Sequence, residues 1–144
     1  MKNPKSKILN YFFFVAISYL VIFFISAAET NAQTKEVYKV LKVSTEISEG
    51  KSKEVKPLFE GERRKIVQLT LRNEMRSDFH SVAEPITIEC VAGEGELIIE
   101  TGDKTDTVEL NPATYITLES NVMHDVVGKP SVSIILTRFL PVKE

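Results

Sequence analysis

The sequence after residue 33 predicts an all-β fold, and three observations carry the prediction. No window from Thr34 onward sustains apolar residues at i, i+3, i+4 and i+7, the spacing an amphipathic helix needs. Period-two alternation rich in β-branched residues recurs instead, as in KIVQLTL at 65–71 and VSIILTRF at 132–139. The alternating runs are spaced by about ten residues, the rhythm of a sandwich or barrel built from short strands.

In chain order the candidate strands are residues 37–44, 65–71, 86–92, 96–100, 107–110, 114–118, 124–127 and 132–139. Turn chemistry separates them. Arg72-Asn73-Glu74 is polar, Gly93-Glu94-Gly95 permits positive φ, and Thr101-Gly102-Asp103-Lys104 reads as a hairpin. Asn111-Pro112 and Gly128-Lys129-Pro130 read as strand ends. Residues 45–60 are charged and weakly patterned, and read as a linker or a peripheral strand pair. No internal repeat or low-complexity segment interrupts the chain. Eight short strands in one flat sheet would leave long exposed edges, so a closed barrel or sandwich is expected.

The first 32 residues read differently. Lys2, Lys5 and Lys7 precede an apolar run from Ile8 to Ile25, and small residues follow at Ser26-Ala27-Ala28 and Thr30-Asn31-Ala32. This is the pattern of a secretory signal, with cleavage expected after Ala32 and Ala28 as the alternative site. The 18-residue uncharged stretch from Tyr11 to Ala28 also reaches the lower limit for a membrane anchor, so retention by residues 8–28 is the competing expectation. The expected organisation is a signal segment at 1–32, an N-terminal strand and linker at 33–63, and a barrel at 64–140. An extracytoplasmic location, secreted or periplasmic, follows from the same reading.

Composition narrows the chemistry. A chain of 144 residues supports one sizeable core. Setting aside residues 1–32 removes three lysines and Glu29 and leaves 15 basic and 19 acidic residues, a net −4. No basic cluster marks a nucleic-acid partner. The single cysteine, Cys90, rules out an internal disulfide framework, and two histidines rule out a metal site made of three. No P-loop or serine-nucleophile motif is present, and no helix is expected after Gly93-Glu94-Gly95 to make it a phosphate cradle.

Two stretches resemble the motifs of the cupin superfamily. Leu71-Arg72-Asn73-Glu74, His80 and Ile86 through Gly93-Glu94-Gly95-Glu96 are similar to the first motif, a His-x-His, a Glu and a Gly in fixed order. Leu110-Asn111-Pro112-Ala113, Ile116 through Asn121 and then His124 are similar to the second, which ends in His. The resemblance spans about residues 64–139. It implies a cupin-type jelly-roll barrel, the double-stranded β-helix, with any site in the barrel mouth. The departures are specific. Aligning Gly93 with the first motif's glycine puts His80 and Val82 at its histidines and Ile86 at its glutamate. In the second motif Ala113, Glu119 and Asn121 stand where the family has Gly, Pro and Gly. Asn tolerates the left-handed conformation better than other non-glycine residues, so the last exchange keeps the turn. Of the four positions that usually hold a metal in cupins, His80 and His124 remain.

Strand alternation then predicts an apolar mouth. If residue 86 faces inward as in metal-binding relatives, Ile88 and Cys90 follow it, and Val122, His124 and Val126 share a face likewise. The expected ligand-binding set is His80, His124, Ile86, Ile88 and Cys90. No cofactor is expected. The alternative is a divalent metal (iron, zinc, manganese or nickel) on His80 and His124, with a third ligand from Glu84, Cys90 or the substrate, Glu84 first. Each histidine could instead be structural, bonded to a backbone carbonyl, and Cys90 could be a small core hydrophobe. Gln68, Thr70, Arg72 and Arg138 read as exposed strand polars within reach of an anionic ligand, and Arg63-Arg64-Lys65 as a salt-bridged surface cluster. The functional expectation is an exported domain binding a small molecule through the two histidines. The alternatives are a metal-dependent enzyme of dioxygenase or isomerase type, and a non-catalytic module that presents its outer faces to a partner or self-associates through an edge strand as a homodimer. A membrane is expected as partner only if the N-terminal segment stays uncleaved.

Overall fold

β-Branched and aliphatic alternation from Lys53 onward builds six antiparallel strands in a computed structural model that describes residues 37–142. The signal segment and its two cleavage sites lie outside the described residues. Val40–Glu144 forms one unit and carries every strand, while Val37–Lys39 belongs to the unit before it. The strands are β1 (Lys53–Glu60), β2 (Arg64–Leu71), β3 (Ile86–Thr101), β4 (Lys104–Leu110), β5 (Tyr115–Leu118) and β6 (Met123–Phe139). They pair in the order β1-β2-β6-β3-β4, with β5 also on β3.

Two expected breaks turn out to be bends. The first half of β3 pairs with β5 and with the second half of β6, whereas its second half pairs with β4 and the first half of β6. The ladder folds over at Gly93–Gly95, opposite Gly128 and Val132, and bulges there absorb the change of direction. Gly93 sits at φ 71, and a Cβ on it would collide with the Ser131 carbonyl, so both the dihedral and the close approach require glycine. The result is two leaves. One contains β1, β2, the end of β6, the start of β3 and β5. The other contains β4, the end of β3, the start of β6 and a short stretch around residues 76–80 that bridges to β6. Between them lie Leu71, Ile86, Ile88, Leu97, Leu110, Val132 and Ile134, all but excluded from solvent.

Eight expected strands therefore become six, since 86–92 joins 96–100 and 124–127 joins 132–139. The hairpin at Thr101–Lys104 forms as expected, with Gly102 at φ 62. Residues 37–44 are not a strand. The strand of that region is β1, inside the segment expected as linker or strand pair, and it is an edge strand whose outward charges hide the alternation.

The expectation that Gln68 and Arg72 are exposed is also corrected, because residues 44–51 cross the outer face of β2 and cover them. The Gln68 amide accepts from Ser44 N at 3.1 Å and donates to Ser44 O at 2.7 Å, imitating a strand partner. It donates as well to Ser133 Oγ. Arg72 donates to the carbonyls of Ser48 and Lys51 and pairs with Glu54. Burying these groups is tolerable because the main chain of the crossing segment satisfies them.

Candidate functional site

The site is assembled by the beginning of β6 and the irregular segment before β3. Asn121, at φ 62, makes the left-handed turn expected of it, and Ala113 at φ 75 keeps the other glycine-like turn of the second motif despite its Cβ. The first turn delivers Val122 and His124 with alternation such that His124 and Val126 face the core.

His80 reaches the same place by a bulge. Arg76 bridges Val127 and His80 bridges His124, so three residues on one side span two on the other. The extra residue is Asp78, at φ 71. Residues four apart on a regular strand share a face; one extra residue reverses that parity. Arg76 can therefore address Asp125 on one face of β6 while His80 meets His124 on the other.

The two imidazoles lie with ring centroids 4.6 Å apart and planes tilted by 51°. Their backbones exchange both hydrogen bonds, His80 N to His124 O at 3.1 Å and His124 N to His80 O at 2.9 Å. Each ring is oriented by its own loop: His80 Nδ1 lies 2.8 Å from Asp78 O, and His124 Nδ1 lies 2.8 Å from Val122 O. A carbonyl only accepts, so both Nδ1 atoms carry the proton and both Nε2 atoms present a lone pair when the rings are neutral. His80 is exposed. His124 is 2% exposed, and its Nε2 is buried without a partner among the described residues. Desolvation pushes the His124 pKa below the usual histidine value, with the neighbouring His80 adding to the effect; the Val122 carbonyl and Asp125 oppose it.

Behind the pair stands a polar cluster that alternation does not reveal. Asp125 is 0% exposed, and its carboxylate accepts from Arg76 Nε at 2.7 Å and Ser77 Oγ at 2.9 Å, with Arg76 Nη2 also in salt-bridge contact. Ser77 Oγ in turn accepts from Val126 N. The one available signal is the acid itself, the sole charge within Val122–Val127 besides the titratable His124.

The other expected site residues go elsewhere. Ile86, Ile88 and Cys90 do face inward, but they are packed in the core with at most 1% exposure. Burial raises the Cys90 thiol pKa, so it stays protonated, and its sulfur makes weak contacts to the Ala92 and Gly93 carbonyls. Glu84 is engaged by Arg138 Nη2 at 2.7 Å, a hydrogen bond that lowers its pKa. Among the described residues no three of His, Cys, Asp and Glu converge as a metal set, so Glu84 does not join the histidines. A cleft of about 570 Å³ lies apart from the pair, lined by residues of the β1–β2 turn with Leu140 and Val142.

No family model matches the sequence, and no curated protein matches it. Solved structures do. A cupin superfamily protein from Desulfitobacterium hafniense aligns with a TM-score of 0.59 at 10% identity, over 66% of this chain and 84% of that one. An RmlC-like cupin with a double-stranded β-helix fold from Methanocaldococcus jannaschii aligns with a TM-score of 0.57 at 16% identity, over 72% and 91%. Iron(II)-bound HppE with an alternative substrate gives 0.52 at 14% identity, over 59% and 48%. At such identities the likeness is one of fold. The bent pair of leaves, the left-handed turns of the second motif and these neighbours agree: the chain has the double-stranded β-helix fold of the cupin superfamily.

Proposed function

We propose that this chain is an exported cupin-like domain that binds a small molecule at the barrel mouth through His80 and His124, without a tightly held metal. The observation that carries the reading is the pairing itself. The chain's two histidines are brought ring to ring, and the Nε2 of the buried one has no partner among the described residues. A buried polar atom left unpaired is costly, and a ligand that donates a hydrogen bond to it recovers that cost. The exposed His80 then completes the grip from the solvent side, and Ile99, the cross-strand partner of His124, suits an apolar body behind the donor.

A divalent metal on the same two nitrogens would supply Lewis acidity to a substrate. Catalytic sites ordinarily use three protein ligands, and the described residues provide two. The metal-dependent enzyme is therefore the second reading, favoured by the Nδ1-anchored rings, which hold Nε2 in a ligating tautomer.

The test is elemental analysis of the full-length chain purified without chelator, beside His80→Ala/His124→Ala, followed by a thermal-shift screen of small hydroxyl- and amine-bearing ligands. The expected result is no stoichiometric metal in either protein, and one ligand class that raises the wild-type Tm but not that of the double variant. Stoichiometric metal lost in the variant would establish the enzyme reading instead. A concentration-dependent dimer with no ligand response would move the function to the outer faces.

A further inference from the structure

We propose that Asp125, with Arg76 and Ser77, latches the His80-bearing segment over His124 and so controls access to the buried Nε2. The inference rests on the reading of the histidine pair as the ligand site, and it concerns how a ligand gets there.

His124 is closed off from solvent while His80, 4.6 Å away, is exposed, so the outer ring and its segment form the cover. That segment belongs to no strand. Beyond Ser77 its backbone is tied by the two His80–His124 bonds, by Asn121 N to Val82 O and, where it enters β3, by Phe139 N to Pro85 O, with Glu84 held by Arg138. Its root carries a buried side-chain clamp in addition to its backbone bonds. Ser77 N donates to Val126 O, Gly128 N donates to Met75 O, Lys53 Nζ donates to Ser77 O, and the Asp125 carboxylate gathers Arg76 and Ser77 side chains. Between root and cover lies the left-handed Asp78, where the parity changes. Local opening follows exposed, sparsely packed stretches, here residues 78–81, and their register depends on the clamp before them. Asp125 is thus a positioning residue. It touches neither imidazole's Nε2, but it fixes the strand register that lays one imidazole over the other.

The latch can be tested without knowing the ligand. Diethyl pyrocarbonate acylates an unprotonated imidazole nitrogen, and with two histidines in the chain each product is assigned by peptide mass spectrometry. In the full-length wild type His80 is expected to react about tenfold faster than His124. In Asp125→Asn, which keeps the side-chain shape but turns one accepting oxygen into a donor and so breaks a bond from Arg76 or Ser77, the His124 rate is expected to rise about fivefold with His80 unchanged.

A reducible latch supplies the second arm. Arg76 and Val127 are a non-hydrogen-bonded pair, flanked by the Ser77–Val126 and Gly128–Met75 bonds. Such pairs have Cα atoms about 4.5 Å apart, within disulfide reach. Arg76→Cys/Val127→Cys on the Asp125→Asn background should restore slow His124 acylation when oxidised. After phosphine reduction and desalting the site should open again, at unchanged circular dichroism. A merely structural role for Asp125 predicts no such toggling. His124 as reactive as His80 in the wild type, or equal rates in the oxidised and reduced forms, would overturn the latch. Toggling without any ligand response in the thermal-shift screen would uphold the latch and overturn the binding reading.

Discussion

Two inward-facing triplets, Ile86–Ile88–Cys90 on β3 and Val122–His124–Val126 leading into β6, sit on neighbouring paired strands yet meet opposite fates. The first is overlaid on both sides by regular ladders, from β5 and from the end of β6, and becomes sealed core. The second has a regular ladder on one side and a bulged, irregular segment on the other. There the barrel buries a histidine, an aspartate and a serine. Alternation fixes which way a side chain points. What covers it decides what can be placed there, and on the second triplet the cover is a polar, irregular segment.

The sharpest test of the contrast is truncation in the sealed half. Ile88→Ala should lower unfolding free energy by about 3 to 4 kcal/mol, because neighbours locked in two ladders cannot collapse into the void. Denaturant titration reads this, and a loss below about 1 kcal/mol would mean the β3 triplet is no better packed than the mouth. Next in size is Arg76→Ala, which leaves the buried Asp125 carboxylate with Ser77 as its remaining side-chain partner. About 2 to 3 kcal/mol is expected, below the full cost of a stranded buried charge because Arg76 itself is half exposed.

A smaller effect comes from acid. His124 is held neutral in the folded state, while the unfolded chain titrates near the ordinary value of about 6.5. Below that pH the unfolded state takes up a proton that the folded state refuses, so stability is complete above about 6.5 and declines as pH falls beneath it. Unfolding midpoints at pH 7.5 and 5.5 should separate in the wild type and converge in His124→Gln; equal separation in both would remove His124 as the cause. The smallest effect belongs to His80→Ala. The backbone bonds to His124 persist, so stability should stay within about 0.5 kcal/mol while any ligand response is lost. A large destabilisation would make His80 a structural residue.

The sequence's legibility follows the same division. β2 and both halves of β3 and β6 were readable because a one-sided apolar face imposes period two. β1 was not, since Lys53, Glu54 and Lys56 face water along an edge and Pro57 interrupts the pattern. The histidine pair was readable from two motif spacings, one in the segment before β3 and one at the start of β6. The Asp125 cluster was not, because Arg76 reaches it only through the parity change at Asp78, and a bulge leaves no mark on periodicity. Glu84 lay near a plausible ligand position in sequence, but Arg138 on the paired end of β6 claims it.

The crossing segment at residues 44–51 has a mechanical consequence. Its grip on the barrel runs through main-chain atoms, Ser44 to Gln68 and Ser48 and Lys51 to Arg72. Tension applied at residue 40 would load these contacts one after another, like tape lifted from one end, before any strand of the ladder felt the full force. The histidine mouth, at the start of β6 and outside its pairing with β2, is a part such a pull would reach only after the β1–β2 edge.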